Sequence, residues 1–511
     1  MSEKDAVIPP AGLSNPLADT NMAEKRKPFQ ESEATGLVHD RLQALYEEHG
    51  ATWDSPEDPN DPYNWPTARK VTIAIVVSTG QLICLMSTTM MASALPQISR
   101  DLGIDTSTTQ ITFSLFVLGQ AFGPFLIAAL SEMYGRKYVW LASCCFFQLW
   151  NALCPVGKNK GIMIAGRFLA GCGASAGPVL SAPIMADMYR AEDRGKSLAI
   201  ASFIPYFGPA LGPIVGGLVA DHIEWPWLFW VLSIFSAAIT IIGVVILKET
   251  CTPVLLQRKK RFANQVNGTT PDGLTGRAFY PDLSARLSKS LLRPMVLFVR
   301  RPVILVISWI WAISFGLYVL VLSRFASLWM DRYGQTGTQS SLNYFALALG
   351  ITIATQAGGH LMDWIFQHLR NRAGGETTPE FRAPYMALGV VMLPAGLFWY
   401  GWAAEGGMHW LFVDVGAAVF TCGTFVTGSG ISAYLVDEFE HAASANAAAR
   451  MLSNILGFAF PIFAPQLFGR LGYGWGNSLL AFVFMTLGLP APLVIWLWGS
   501  RLRSQGKAAG D

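Results

Sequence analysis

Of the 511 residues, 52% are hydrophobic and 14% charged, where an ordinary soluble domain carries about 25% charged residues. The sparse charge gathers before residue 70, near 250–301 and after 500, and a net charge of +3 so scattered argues against a nucleic-acid partner. The seven cysteines show no CxxC or Cys/His spacing, so neither a disulfide framework nor a metal site is expected.

Residues 1–70 contain no apolar run of the kind a signal peptide needs, so the first apolar stretch is expected to serve as its own insertion signal. A bilayer asks for about 20 apolar residues per helix. Runs of that kind fall at 71–94, 108–130, 138–156, 161–185, 196–221 and 226–247, then at 303–328, 341–366, 383–403, 408–434, 446–470 and 476–498. The pattern predicts an all-α membrane protein of twelve transmembrane helices in two pseudo-symmetric halves. Its parts are a polar tail 1–70, a six-helix half 71–247, a linker 248–302, a second six-helix half 303–498 and a tail 499–511.

With both termini placed in the cytoplasm, most of the 37 Lys and Arg residues fall on the inner side, as topology requires. Only Arg100, Lys158, Lys160, Arg332 and Arg470 fall outside, and Arg167, Arg324 and Arg450 fall within spans. The segment after span ten is the exception, since Asp437, Glu438 and Glu440 stand there without a Lys or Arg. In the linker, Arg258-Lys259-Lys260-Arg261 reads as inner-side anchoring, a short surface helix is expected around 283–299, and the sequon at Asn267 should stay unmodified.

The two halves share a local repeat. Ala128, Leu130 and Glu132 after span two match Gly359, Leu361 and Asp363 after span eight, each a small residue, a leucine and a carboxylate at steps of two. Glu132 with Gly135, Arg136 and Lys137 forms a turn with one acid among bases. Pairing of Glu132 with Arg136 or with Arg194 would make a latch that holds in one conformation, with Asp363 its counterpart in the second half.

Span four carries Arg167 well inside an apolar run. A guanidinium keeps its charge, and placing it in a span costs at least about 2.5 kcal/mol. It therefore needs a partner or a water-filled cavity, and its fixed charge would bias a nearby proton or substrate site. In span five, Gly208, Gly212 and Gly216 recur at steps of four beside Pro209, Pro213 and Gly217. That spacing gives one helix face without side chains, against which a neighbour can approach closely.

For a proton carrier the candidates are Asp187, Asp221 and Asp414, and Asp414 lies deepest in its span. Gln81, Tyr206, Trp311, Tyr318, Asn446 and Asn454 are expected to line a cavity; Arg450 shares a helix face with both asparagines, since the three are spaced by four. The dispersed histidines give no metal cluster, and no Walker loop or nucleophile elbow is present, so no cofactor and no enzymatic chemistry are expected.

Taken together, these strings resemble the major facilitator superfamily, and within it the fungal drug:proton antiporters. The residues that carry the resemblance are Asp58 to Trp65, Glu132 to Lys137, Arg167 to Ala174, Gly208 to Gly217, and the late run Tyr434 to Asn446 with Arg450 and Trp475 to Ser478. The resemblance implies alternating access between the halves. It also implies an inner-loop signature that stabilises the outward-open state, help from Arg167 in proton coupling, and a span-five string characteristic of exporters. Ala128 and Glu132 depart mildly from the signature, and Arg324 stands in the span where polycation carriers of the family often have glutamate. Arg324 would pair with an anionic substrate group or snorkel to the outer rim.

The expected function is proton-coupled antiport that exports small amphipathic compounds such as drugs, toxins or secondary metabolites. The alternatives are a proton-coupled importer, a polyamine or nutrient transporter of the same fold, or a transporter-like receptor. The expected partners are the small molecule, protons and the bilayer; the protein is expected to be a monomer of the plasma membrane, with the vacuole as the alternative.

Overall fold

The computed structural model describes residues 42–47, 51–189, 204–266, 301–375, 377–438 and 442–507. All regular secondary structure among these residues is helical, with no strand among them. They divide into two units, Met1–Trp65 with Thr252–Asp272, and Pro66–Cys251 with Gly273–Asp511.

The larger unit carries a helix in each of the twelve apolar stretches. In the first half these are α1 (Thr67–Leu102, tightened to a 3-10 turn at Met90–Ala94), α2 (Thr106–Tyr134), α3 (Arg136–Leu153), α4 (Lys160–Met188), α5 (Gly208–His222) and α6 (Pro226–Ile246). In the second they are α7 (Pro302–Tyr333), α8 (Gly337–Arg372), α9 (Ala383–Glu405) and α10 (Trp410–Glu438). Then α11 and α12 run through Ala442–Gly488, parted at Gly472 (φ 71°), and on through Pro490–Lys507. Counted as continuous helices among the described residues, nine are long and apolar enough to cross a membrane. The pair α11 and α12 counts once, and α3 and α5 are not among the nine. Polar residues lower the hydropathy of α3 for a structural reason: Gln148 donates to Thr240 Oγ1 at 2.5 Å and Asn151 to the Phe229 carbonyl at 2.8 Å, both on α6.

Chain ends of these helices follow local chemistry. Asp105 caps α2 through the amide and hydroxyl of Thr108, and those two hydrogen bonds hold its carboxyl below the usual carboxylate range. Thr336 and Gln339 form a capping box at the start of α8, and Gly334 in the left-handed region (φ 63°) ends α7. Within each half, glycines let helices close in. A Cβ on Gly119 or Gly171 would collide with the α4 or α2 backbone respectively, and one on Gly350 would do the same to α10 from α8.

In the smaller unit, Asp58 accepts from the amides of Asn60 and Asp54, and Asp61 caps the turn Pro62–Asn64 through the Tyr63 amide. The helix Thr252–Val266 supplies Lys259, whose Nζ meets Asp54 at 2.7 Å, the Thr52 carbonyl at 3.0 Å and Asp58 at 4.0 Å. The expected linker helix at 283–299, the sequon at Asn267 and most of the first tail lie outside the described residues.

Candidate functional site

The larger unit has two ends: the tail side, where α1 begins, and the far side, where α1 passes to α2. The far side is joined across the two halves. Asp221, at the end of α5, accepts from the amide and hydroxyl of Thr338 at 2.6 and 2.7 Å, and Ser93 Oγ lies 3.2 Å from Ser341 Oγ. Ser107 of α2 is hydrogen-bonded to the Gln466 side chain of α11 at 2.7 Å. The glycines of α5 permit this closure. A Cβ on Gly208, Gly212 or Gly216 would run into Leu85, Thr89 or the Met90 carbonyl of α1, and one on Gly217 would strike Ser341 and the Gly337 carbonyl of α8. The stripe thus serves α1 on one side, and the adjacent Gly217 meets the opposite half. Pro209 and Pro213 are buried in the same helix, and the Pro213 carbonyl accepts from Ser93 at 3.2 Å.

Arg167 is fully enclosed, with 1% of its surface exposed. It donates to the Ser87 carbonyl at 3.2 Å and lies 3.5 Å from Ser87 Oγ, where α1 nears its 3-10 turn; its guanidinium also stacks on Phe116, 4.4 Å from the ring centre. Phe229 stands at 5.9 Å, and Nε has no hydrogen-bond partner. The side chain that the sequence required to have a partner is met by a backbone carbonyl and aromatic faces rather than by a carboxylate.

Tail-side charges form matching groups in the two halves. In the first, Arg136 at the start of α3 pairs with Asp187 near the end of α4 at 3.4 Å. In the second, Arg382 just before α9 pairs with Asp437 near the end of α10 at 2.8 Å, reaches Asp363 at 3.6 Å and stacks on Phe366. Glu132 is exposed and makes no hydrogen bond among the described residues, and Arg194 lies outside them. Gly135 (φ 101°) has no side chain to cap α3, and Glu249 does so from beyond α6. Its carboxylate accepts from the amides of Arg136 (2.8 Å), Lys137 (3.3 Å), Thr250 and Cys251 (both 3.0 Å). A carboxylate directly after an apolar span was the available signal for Glu249; its contact, more than a hundred residues back along the chain, was not.

Between these ends lies a polar and aromatic belt. Gln120 donates to Thr88 Oγ1, and Asn454 donates to the Gln120 carbonyl across the halves, both at 3.2 Å. Gln81 accepts from Ser181 at 3.2 Å. Arg450 is exposed and stands 5.4 Å from the centre of the Trp311 ring, so the 446–450–454 face looks toward α7 and α2. Tyr318 packs edge-on to Phe425 at 5.5 Å and beside Phe315, which a Cβ on Gly457 would touch together with Val117 of α2. Asn446 is half-buried, and the Tyr206 side chain lies outside the described residues. Arg324 stands apart from this belt, 3.9 Å from Asp331 toward the far side. Asp414, one turn into α10 on the far side, is 8% exposed and its Oδ1 has no hydrogen-bond partner.

A family model described as Major Facilitator Superfamily matches residues 77–461. Among curated proteins, the chain is 36% identical over 460 residues to the efflux pump vrtL of Penicillium aethiopicum, covering 90% of this chain and 91% of that one. It is 34% identical to the efflux pump radE of Floropilus chiversii, covering 88% and 84%. Among solved structures, a D-xylose-proton symporter superposes with a TM-score of 0.60 at 15% identity, over 83% of this chain and 97% of that one.

Proposed function

The chain belongs to the major facilitator superfamily, and on that premise we propose that it is a proton-coupled antiporter exporting small amphipathic organic compounds by alternating access. It is a multi-pass membrane transporter and not an enzyme. The observation that carries the export reading is α5. Its side-chain-free face lies on α1, and the far end is closed against α8 by close packing at Gly217 and by the hydrogen bonds of Asp221 to Thr338, which can be made and released. Relatives named efflux pumps over nearly their whole length support the same direction.

In this reading the substrate enters from the tail side, taken as cytoplasmic, into the belt of Gln81, Tyr206, Trp311, Tyr318, Asn446, Arg450 and Asn454. Aromatic faces and a few hydrogen-bonding groups suit amphipathic molecules of varied shape. Arg167 assists coupling by fixing the position of α1 against α4, and Asp414 carries the proton. Glu132, Gly135 to Lys137, Arg194 and Asp363 act at the tail side as the conformational latch, in which we place Asp187, Arg382 and Asp437 as the pairing residues.

The test is efflux of a fluorescent amphipathic dye from cells expressing the protein, with and without a protonophore, for wild type and Arg167→Ala. Efflux lost in both cases, with the variant correctly inserted, is the expected result. Dye accumulation driven inward would overturn it.

A further inference from the structure

Three buried polar atoms in the far part of the second half have no hydrogen-bond partner: Arg324 Nε on α7, Asp414 Oδ1 on α10 and Asn477 Oδ1 on α12. Buried polar groups are nearly always paired, so a cluster of unpaired ones calls for a cause. All three gather about Tyr400 of α9. The charges of Asp414 and Arg324 both act on Tyr400, and a Cβ on the neighbouring Gly401 would lie 2.7 Å from the Asn477 Cβ. Gly416, two residues past Asp414, backs directly onto the Tyr400 amide, so α10 is pressed against this point of α9.

The unpaired atoms are complementary. Arg324 Nε–H is a donor and Asp414 Oδ1 an acceptor, and the Tyr400 hydroxyl, like any hydroxyl, can accept from the first while donating to the second. We propose that Tyr400 bridges Arg324 and ionised Asp414 in one conformation of the transport cycle, and that a proton binding Asp414 breaks the bridge and releases α7 from α10. This rests on the antiport reading above and adds the group that senses the proton. The proton comes from far-side water and ends on the Asp414 carboxylate. Protonation removes the negative charge that draws the Tyr400 hydroxyl and adds an O–H donor to the carboxyl, and Arg324 turns to the exposed Asp331, with which it already pairs. The structure, in which Arg324 Nε and Asp414 Oδ1 lack a hydrogen-bond partner while the Arg324 guanidinium pairs with Asp331, corresponds to the released state.

Other charged and titratable groups face the same cluster. From α7, Arg332 pairs with Glu405 at 3.8 Å, and Tyr333 donates to the Met408 carbonyl at 2.7 Å while feeling the Asp414 charge. Tyr344 of α8 donates to the Leu322 carbonyl, and Tyr473 of α12 is hydrogen-bonded to Arg324. Among these described neighbours Asp414 is the buried carboxylate with an unsatisfied oxygen, whereas Glu405 is occupied by the amides of Tyr473 and Gly474.

The experiment uses full-length protein in proteoliposomes, reading dye-driven proton release across pH 5.5–8.5, a range of about three units that brackets physiological titration, and dye binding by tryptophan quenching. Asp414→Asn should abolish proton release while binding the dye. Tyr400→Phe should retain proton release but move its midpoint to higher pH by at least about half a unit, because the ionised carboxylate loses a donor. Arg324→Gln should move the midpoint the same way, and Arg324→Lys less. If wild type moves dye without releasing protons, the antiport reading falls and this assignment with it. If wild type releases protons and Asp414→Asn does so equally, or if Tyr400→Phe and Arg324→Gln leave the midpoint in place, the antiport reading stands and the bridge is refuted.

Discussion

At the scale of single residues, Arg167 is held by one carbonyl and two ring faces, and each contact depends on a flat, forked cation. Lysine keeps the charge but cannot lie over Phe116 while donating to Ser87. Loss of a charge-assisted hydrogen bond is worth about 1.5–3 kcal/mol, so Arg167→Lys should lower efflux by about tenfold or more with normal insertion, measured as initial rate per inserted molecule. That this arginine needed a partner was legible from its place in an apolar run; that the partner is the Ser87 carbonyl was not, because backbone acceptors leave no mark in a sequence. Asp58 offers a test by pH. Burial pushes its carboxyl up, but the amides of Asn60 and Asp54, the Asn60 side chain and Lys259 outweigh this and hold it below the usual range. A carboxyl with a lowered folded pKa stabilises the fold above the unfolded value of about 4 and loses that contribution as pH falls through the folded value. Hydrogen exchange over residues 54–64 should therefore lose protection below about pH 4, after correction for intrinsic rates. Asp58→Asn should lose it already at neutral pH.

At the scale of elements, the steps of four in α5 announced a helix face made for close approach, and α1 occupies that face. Gly212→Leu would place a branched side chain where Thr89 and the Met86 carbonyl stand, forcing α5 away from α1. The expected outcome is a protein that still reaches the membrane but has lost transport, with a cysteine introduced at position 93 more reactive to a membrane-impermeant thiol reagent from the far side. Unchanged reactivity would mean that α5 does not seal that end. The approximate positions of most helices followed from hydropathy. The pairing of Arg136 with Asp187 did not, because Glu132, four residues away on the chain, offered an equally plausible partner and only packing of α3 on α4 decides between them. Glu249 escaped notice for the same reason: its role is defined by the amides that α3 presents, and amides carry no residue identity.

At the scale of the whole molecule, the short repeat around Glu132 and Asp363 was the visible trace of a larger correspondence. Each half joins the start of its third helix to the end of its fourth by an arginine–aspartate pair, Arg136 with Asp187 and Arg382 with Asp437. Of the acidic residues at the end of α10 that lack a neighbouring Lys or Arg in the sequence, Asp437 is neutralised by Arg382 from just before α9. The far end is closed by contacts between halves, while these tail-side pairs stay within each half. In the antiport that we propose, closure of the far end leaves the substrate to enter from the tail side. The most direct test is counter-transport in proteoliposomes carrying a pH gradient, with a permanently charged amphipathic dye and protein-free vesicles as the control. Antiport drives the dye into the acidic compartment whichever way the protein is inserted, so acid-inside vesicles should accumulate it and collapse of the gradient should release it. Accumulation in alkaline-inside vesicles instead would mean that dye and proton move together, and the exporter assignment would be wrong.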